Sequence, residues 1–201
     1  MRFGVARPIA LALVPDGTLW RLAVVALGTA LLTLAARVEI PLPFSPVPVT
    51  GQTLAVLLIG ASLGARLGSI TVTTYIFEGA LGLPVFAGGA SGIARLTGAT
   101  GGYLVGFVVA AAIVGWLAER GWTRTIPLTI AAMLVGEAAI YLFGLAWLSR
   151  FPLPVGVLDA GLVPFVAGDL YKLALAVVVL PPITRRVDRL GSRSGSWARR
   201  R

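Results

Sequence analysis

The sequence predicts an all-α, polytopic membrane protein, a six-transmembrane-helix bundle with a glycine-rich external loop. Three observations carry that prediction. The chain of 201 residues is 57% hydrophobic and only 12% charged, with a mean hydropathy of +0.91, well beyond the apolar share of an ordinary soluble domain. Its apolar residues fall into runs near the ~20 residues a spanning helix needs, separated by stretches dense in proline, glycine or arginine, with room for six spans. The cations then alternate between loops. With both termini cytoplasmic, Arg2, Arg7, Arg21, Arg66, Arg120, Arg124 and seven more between 185 and 201 lie inside, Arg37, Arg95 and Arg150 lie outside, and Lys172 falls within a span. That is the positive-inside pattern. It accounts for the net charge of +9 without any nucleic acid partner.

In chain order, residues 1–18 form a cytoplasmic N-terminal segment whose apolar run at 8–14 is too short for a signal peptide. The first span, 19–36, carries Ala26 and Ala30 with Gly28 between them, a small-residue face that admits another helix, either a partner's or one of the bundle's own. Residues 37–51 hold Pro41, Pro43, Pro46 and Pro48, a density that forbids helix and favours an extended, polyproline-like external lid. Residues 52–64 and 67–83 are two spans around Arg66, and Gly60, Gly64 and Gly68 permit a tight turn between them. The fourth span, 102–118, leads to a short cytoplasmic loop with Trp122 at the interface. The fifth is 126–148, and 149–163 is a second proline-containing external loop. The sixth, 164–180, ends at Pro181-Pro182. The membrane domain is thus 19–182, followed by a basic cytoplasmic tail, 183–201, near the anionic leaflet.

The stretch from 82 to 106 is the site candidate. Its glycines open backbone conformations closed to other residues and Pro84 stops the preceding helix. Irregular backbone at membrane depth is tolerated only where it is buried in protein or lines a cavity. The plainer alternative is a flexible external loop. Phe86, Gly88, Gly89, Arg95 and Tyr103 are its candidate ligand-binding residues, with Tyr75 and Trp147 as further aromatic walls. Arg95 either attracts an anion or is simply solvated. Lys172 follows Asp169 by three residues, so on a helix the two share a face. Charges at membrane depth cost a few kcal/mol and mark substrate paths, the alternative being an ion pair that only locks the sixth helix. Glu78 closes the third span beside the glycine-rich loop, whereas Glu137, in the fifth, is assigned to bonding within the bundle.

With no histidine and no cysteine, disulfides, thiolate metal sites and histidine acid–base chemistry are excluded, and no cofactor or metal is expected. Five stretches, Ile40-Pro-Leu-Pro, Val47-Pro-Val-Thr, Gly82-Leu-Pro-Val-Phe-Ala-Gly-Gly, Thr100-Gly-Gly-Tyr-Leu-Val-Gly-Phe and Pro164-Phe-Val-Ala-Gly-Asp-Leu-Tyr-Lys, carry a family likeness. Through them the chain resembles BioY, the biotin-specific S-component of energy-coupling-factor vitamin transporters, over residues 22–182. Ala99 departs from the family's usual proline, and Arg150-Phe-Pro-Leu-Pro reads as an insertion. The resemblance implies a multi-pass protein of the inner or plasma membrane that captures biotin from outside, with a transmembrane coupling subunit and two ATP-binding subunits as partners. It also implies that the small residues of the first helix, Ala26 and Ala30, contact the coupling subunit.

Biotin offers an apolar bicycle, a carboxylate, and a ureido group with two N–H donors and one acceptor. Its site needs carboxylate acceptors, a cation and apolar walls, which Asp169, Glu78, Lys172 and the aromatic set supply. No Walker A motif is present, so ATP dependence comes from another chain. The protein is expected not to be an enzyme. The competing readings are a stand-alone vitamin carrier and an intramembrane enzyme using Asp169 or Glu78 as acid or base.

Overall fold

The computed structural model describes Ile9 and residues 17–197, with side chains as far as Val187 plus Arg189. Most of the predicted N-terminal segment, including Arg2 and Arg7, lies outside the described residues, as do Arg199, Arg200 and Arg201. Among the described residues, five helices are long and apolar enough to cross a membrane. They are α1 (Thr18–Arg37), α2 (Gln52–Ala80), α4 (Gly101–Glu119), α5 (Ile126–Leu148) and α7 (Val163–Trp197), joined by the short α3 (Ile93–Thr97) and α6 (Val157–Gly161).

The sixth crossing comes from α2, which is two helical arms. Gly64 has φ 80° and ψ 176°, a conformation readily open only to glycine, and the chain folds back there. A Cβ placed on Gly68 would sit 3.1 Å from the Cα of Gly60, although eight residues of straight helix separate their ends by ~12 Å. The turn packs against Gly115 of α4. Glu119 accepts a hydrogen bond from the Ala65 amide at 2.9 Å, capping one of the orphan donors that start the second arm. The glycine triplet therefore makes the tight turn its spacing predicts. Around it α2, α4 and α5 form the packed centre, burying Val56, Val72, Val114, Met133 and Ile140. Helix α1 lies at the periphery, with Leu19, Leu22, Leu27 and Leu34 exposed where hydrocarbon surrounds them.

Two expectations need correction. The proline-rich lid is extended, but it is a β-hairpin and not isolated polyproline. Strand β1 (Glu39–Leu42) pairs antiparallel with β2 (Ser45–Thr50), with Glu39 opposite Thr50, Ile40 opposite Val49 and a register irregularity between Ile40 and Leu42. In a two-stranded ribbon each strand has one free edge, so a proline whose missing N–H faces outward costs no ladder bond. Pro181-Pro182 does not end the last helix either, since α7 continues to Trp197. Proline removes donors from the carbonyls four residues earlier, and tertiary contacts carry the helix on. Buried Thr184 donates to the Leu180 carbonyl at 2.9 Å and lies 3.3 Å from the Thr123 hydroxyl, Arg185 donates to the Arg124 carbonyl at 2.8 Å, and Val187 is buried.

The three segments predicted as external meet at one end of the bundle. Arg37 donates to the Pro84 carbonyl at 2.6 Å, Ser45 to the Ala160 carbonyl at 2.7 Å, Trp147 Nε1 to the Gly98 carbonyl at 2.9 Å, and Tyr103 to the Gly161 carbonyl at 2.8 Å. This meeting of loops roofs the site.

Candidate functional site

Beneath the hairpin lies a cavity, open at its mouth. The second strand, the glycine-rich loop and five helices contribute to it. Val47 and Pro48 come from β2, Gln52 and Thr53 from the start of α2, Phe86 and Ala87 from the glycine-rich loop, and Arg95 from α3. Tyr103 and Phe107 of α4, Tyr141 of α5, and Phe165 and Lys172 of α7 complete the wall. Tyr103 stacks on Phe165 with centroids 6.5 Å apart, and Tyr141 meets Phe165 edge-on at 6.4 Å, so three helices share one aromatic wall.

The loop is held for this purpose by groups behind the cavity. Tyr75, fully buried, donates to the Val85 carbonyl at 2.8 Å and accepts from Gln52 Nε2 at 2.8 Å. Its ring meets Phe86 edge-on at 5.6 Å. Phe86 lies so close to Gly79 of α2 that a Cβ there would collide with its ring, which is why the helix presents glycine at that position.

At the base, Lys172 Nζ donates to Asp169 Oδ1 at 3.0 Å and to Thr53 Oγ1 at 2.9 Å. The other Asp169 oxygen accepts from the Tyr141 hydroxyl. Tyr141 and Lys172 also line a second, mainly apolar cavity between α2, α5 and α7, whose other polar groups are Asp169 and Glu137. The two side chains are thus the partition between the cavities.

The structure brings Phe86, Arg95, Tyr103 and Lys172 together around the first cavity. Asp169 touches it only through Lys172 and Tyr141, and lines the second. Glu78 is half-buried on α2 and lines neither cavity. Gly88 and Gly89, with φ of 69° and 71°, face Glu39 and Arg37 respectively. Their missing side chains make room for those two charges next to the lid. Ala26 and Ala30 are exposed on α1, while Gly28 and Thr29 are buried, with Gly28 against Thr71 of α2. Gln52, Thr53 and Tyr141 were not singled out from the sequence. The available signal was a polar pair opening an apolar helix directly after the lid, and a tyrosine one turn beyond Glu137.

The BioY family model matches residues 11–189. A Pyrococcus horikoshii protein named probable biotin transporter BioY is 40% identical over 158 residues, covering 77% of this chain and 90% of its own. A biotin transporter BioY from Thermotoga maritima is 39% identical over 152 residues, covering 75% and 88%. A crystal structure of the S-component for biotin from an ECF-type ABC transporter aligns with a TM-score of 0.73 at 27% identity, over 85% of this chain and 95% of that one.

Proposed function

This chain belongs to the BioY family, and on that premise we propose that it is the substrate-capture subunit of a biotin uptake transporter, taking biotin in the cavity beneath the hairpin. It is a multi-pass membrane transport protein and not an enzyme. The observation that carries the reading is the cavity's polarity: an aromatic barrel with a cation at each end. Lys172, at the base, is already neutralised by Asp169. Arg95, in the loop at the mouth, makes no ion pair among the described residues.

That asymmetry orients the ligand. The carboxylate takes the unneutralised cation at the mouth, and the uncharged ureido ring descends to Lys172 and Asp169. Lys172 spends two of its three N–H donors on Thr53 and Asp169 and keeps one for the ureido oxygen. Titration of the purified subunit with biotin and with biotin amide tests this. Wild type binds both, and Arg95→Gln is expected to weaken biotin about tenfold, the scale of one charge-assisted hydrogen bond, while leaving the amide unchanged. No binding of biotin by wild type overturns the function. An equal loss for both ligands overturns only the orientation.

Capture from outside requires N and C termini in the cytoplasm and residues 37–51, 82–101 and 149–163 external, as the cation distribution indicates. The membrane is then the inner or plasma membrane, and delivery inward depends on a transmembrane coupling subunit and ATP-binding subunits. Without native cysteines, single-cysteine labelling reads topology directly. A cysteine replacing Ser91 is expected to react with an impermeant maleimide from outside, and labelling only from the cytoplasmic side refutes the orientation.

A further inference from the structure

Glu137 sits on α5 one turn before Tyr141 and lines the second cavity together with Asp169 and Lys172. Its Oε2 is buried and has no hydrogen-bond partner among the described residues. A polar atom left so at membrane depth is costly, and groups of this kind mark function more often than packing. It shares that cavity with Asp169 and Lys172, the other charged residues that line it. Two carboxylates therefore face one lysine, and the lysine pairs with only one of them, Asp169.

Occupation of the first cavity changes that balance. Asp169 holds Lys172 with one oxygen and Tyr141 with the other, and those two side chains stand between it and the first cavity, so ligand N–H groups reach it only as they move aside. Among the residues lining either cavity, Glu137 is the only other carboxylate. We propose that Glu137 is a positioning residue of the binding site, the second counter-ion of Lys172, which takes up the lysine charge as the ligand's donors engage Asp169. The second cavity is then the space in which the Lys172 head group shifts between its two carboxylates. This inference rests on the biotin-binding reading above.

The test is a double-mutant cycle on biotin affinity, read by titration of the purified subunit. Glu137→Gln keeps the shape and removes the ability to carry a charge, and is expected to weaken biotin about tenfold, the size of one hydrogen bond to a charged group, with thermal midpoint unchanged or raised. In a Lys172→Met background, where no charge remains to be shared, Glu137→Gln is expected to change affinity less than about twofold. A residue with a merely structural role would lower the melting temperature on substitution and show no such dependence on Lys172. Unchanged affinity in the single variant, or an equal loss in both backgrounds, overturns the inference while leaving biotin binding by wild type intact. If the Gln variant does not fold, Glu137→Asp, which keeps the charge, serves in its place. It is expected to retain affinity within about threefold in the wild-type background, and a larger loss that persists beside Lys172→Met overturns the inference. Absence of biotin binding in the wild type overturns this inference together with the reading it rests on.

Discussion

Ala26→Trp and Ala30→Trp are expected to abolish ATP-driven biotin uptake and co-purification with the coupling subunit while leaving biotin affinity unchanged. Both alanines are exposed on α1, one turn apart, each next to an exposed leucine, Leu27 and Leu31. The inward side of the same stretch is made by Gly28 and Thr29, so the outward pair is free for another helix. In hydrocarbon the solvent is as apolar as the helix, and association depends on close packing that only small side chains permit. An indole projects into lipid without meeting the bundle, yet holds a partner helix several ångströms off. Expression level and biotin titration of the isolated subunit are the controls. Complex formation by both variants rules out docking on this face, and loss of biotin binding would show that the face packs within the bundle.

Lys172→Ala and Asp169→Asn are expected to weaken biotin roughly ten- to a hundredfold, about 1.5–3 kcal/mol for a lost hydrogen bond to a charged group, with the protein still folded in the membrane. Lys172 acts directly, since it lines the ligand cavity. Asp169 acts in two ways: it holds Lys172 against Thr53, and it fixes Tyr141, the other half of the partition. Isothermal titration of each variant beside its melting temperature separates binding from folding. Unchanged affinity in both would return the pair to the role of an ion pair that locks α7.

The membrane architecture was legible because a bilayer imposes length and composition on each segment separately. The fifth span runs from 126 to 148 by hydropathy and Ile126–Leu148 in the structure. The α2 turn was equally plain, since three glycines at fourfold spacing serve both the reversal and the contact of the arms. Hairpin pairing was not, because Ile40 finds Val49 only once the chain has turned, and four prolines hide that from any local rule.

The site was legible in kind and not in arrangement. An Asp and a Lys three residues apart inside an apolar helix had to face something polar, and the aromatic residues around a glycine-rich loop had to wall it. What only the tertiary structure decided was the direction each group faces. Tyr141 on α5 takes one Asp169 oxygen and turns that carboxylate toward the second cavity, while Thr53 on α2 holds Lys172 toward the first. Continuation of α7 through two prolines, likewise, depends on the Thr123 turn against which Thr184 packs. The bilayer selects residues one segment at a time, so span and polarity can be read from the sequence. A hydrogen bond needs its partner within about 3 Å, and residues 28 or 119 positions apart acquire that distance only by folding.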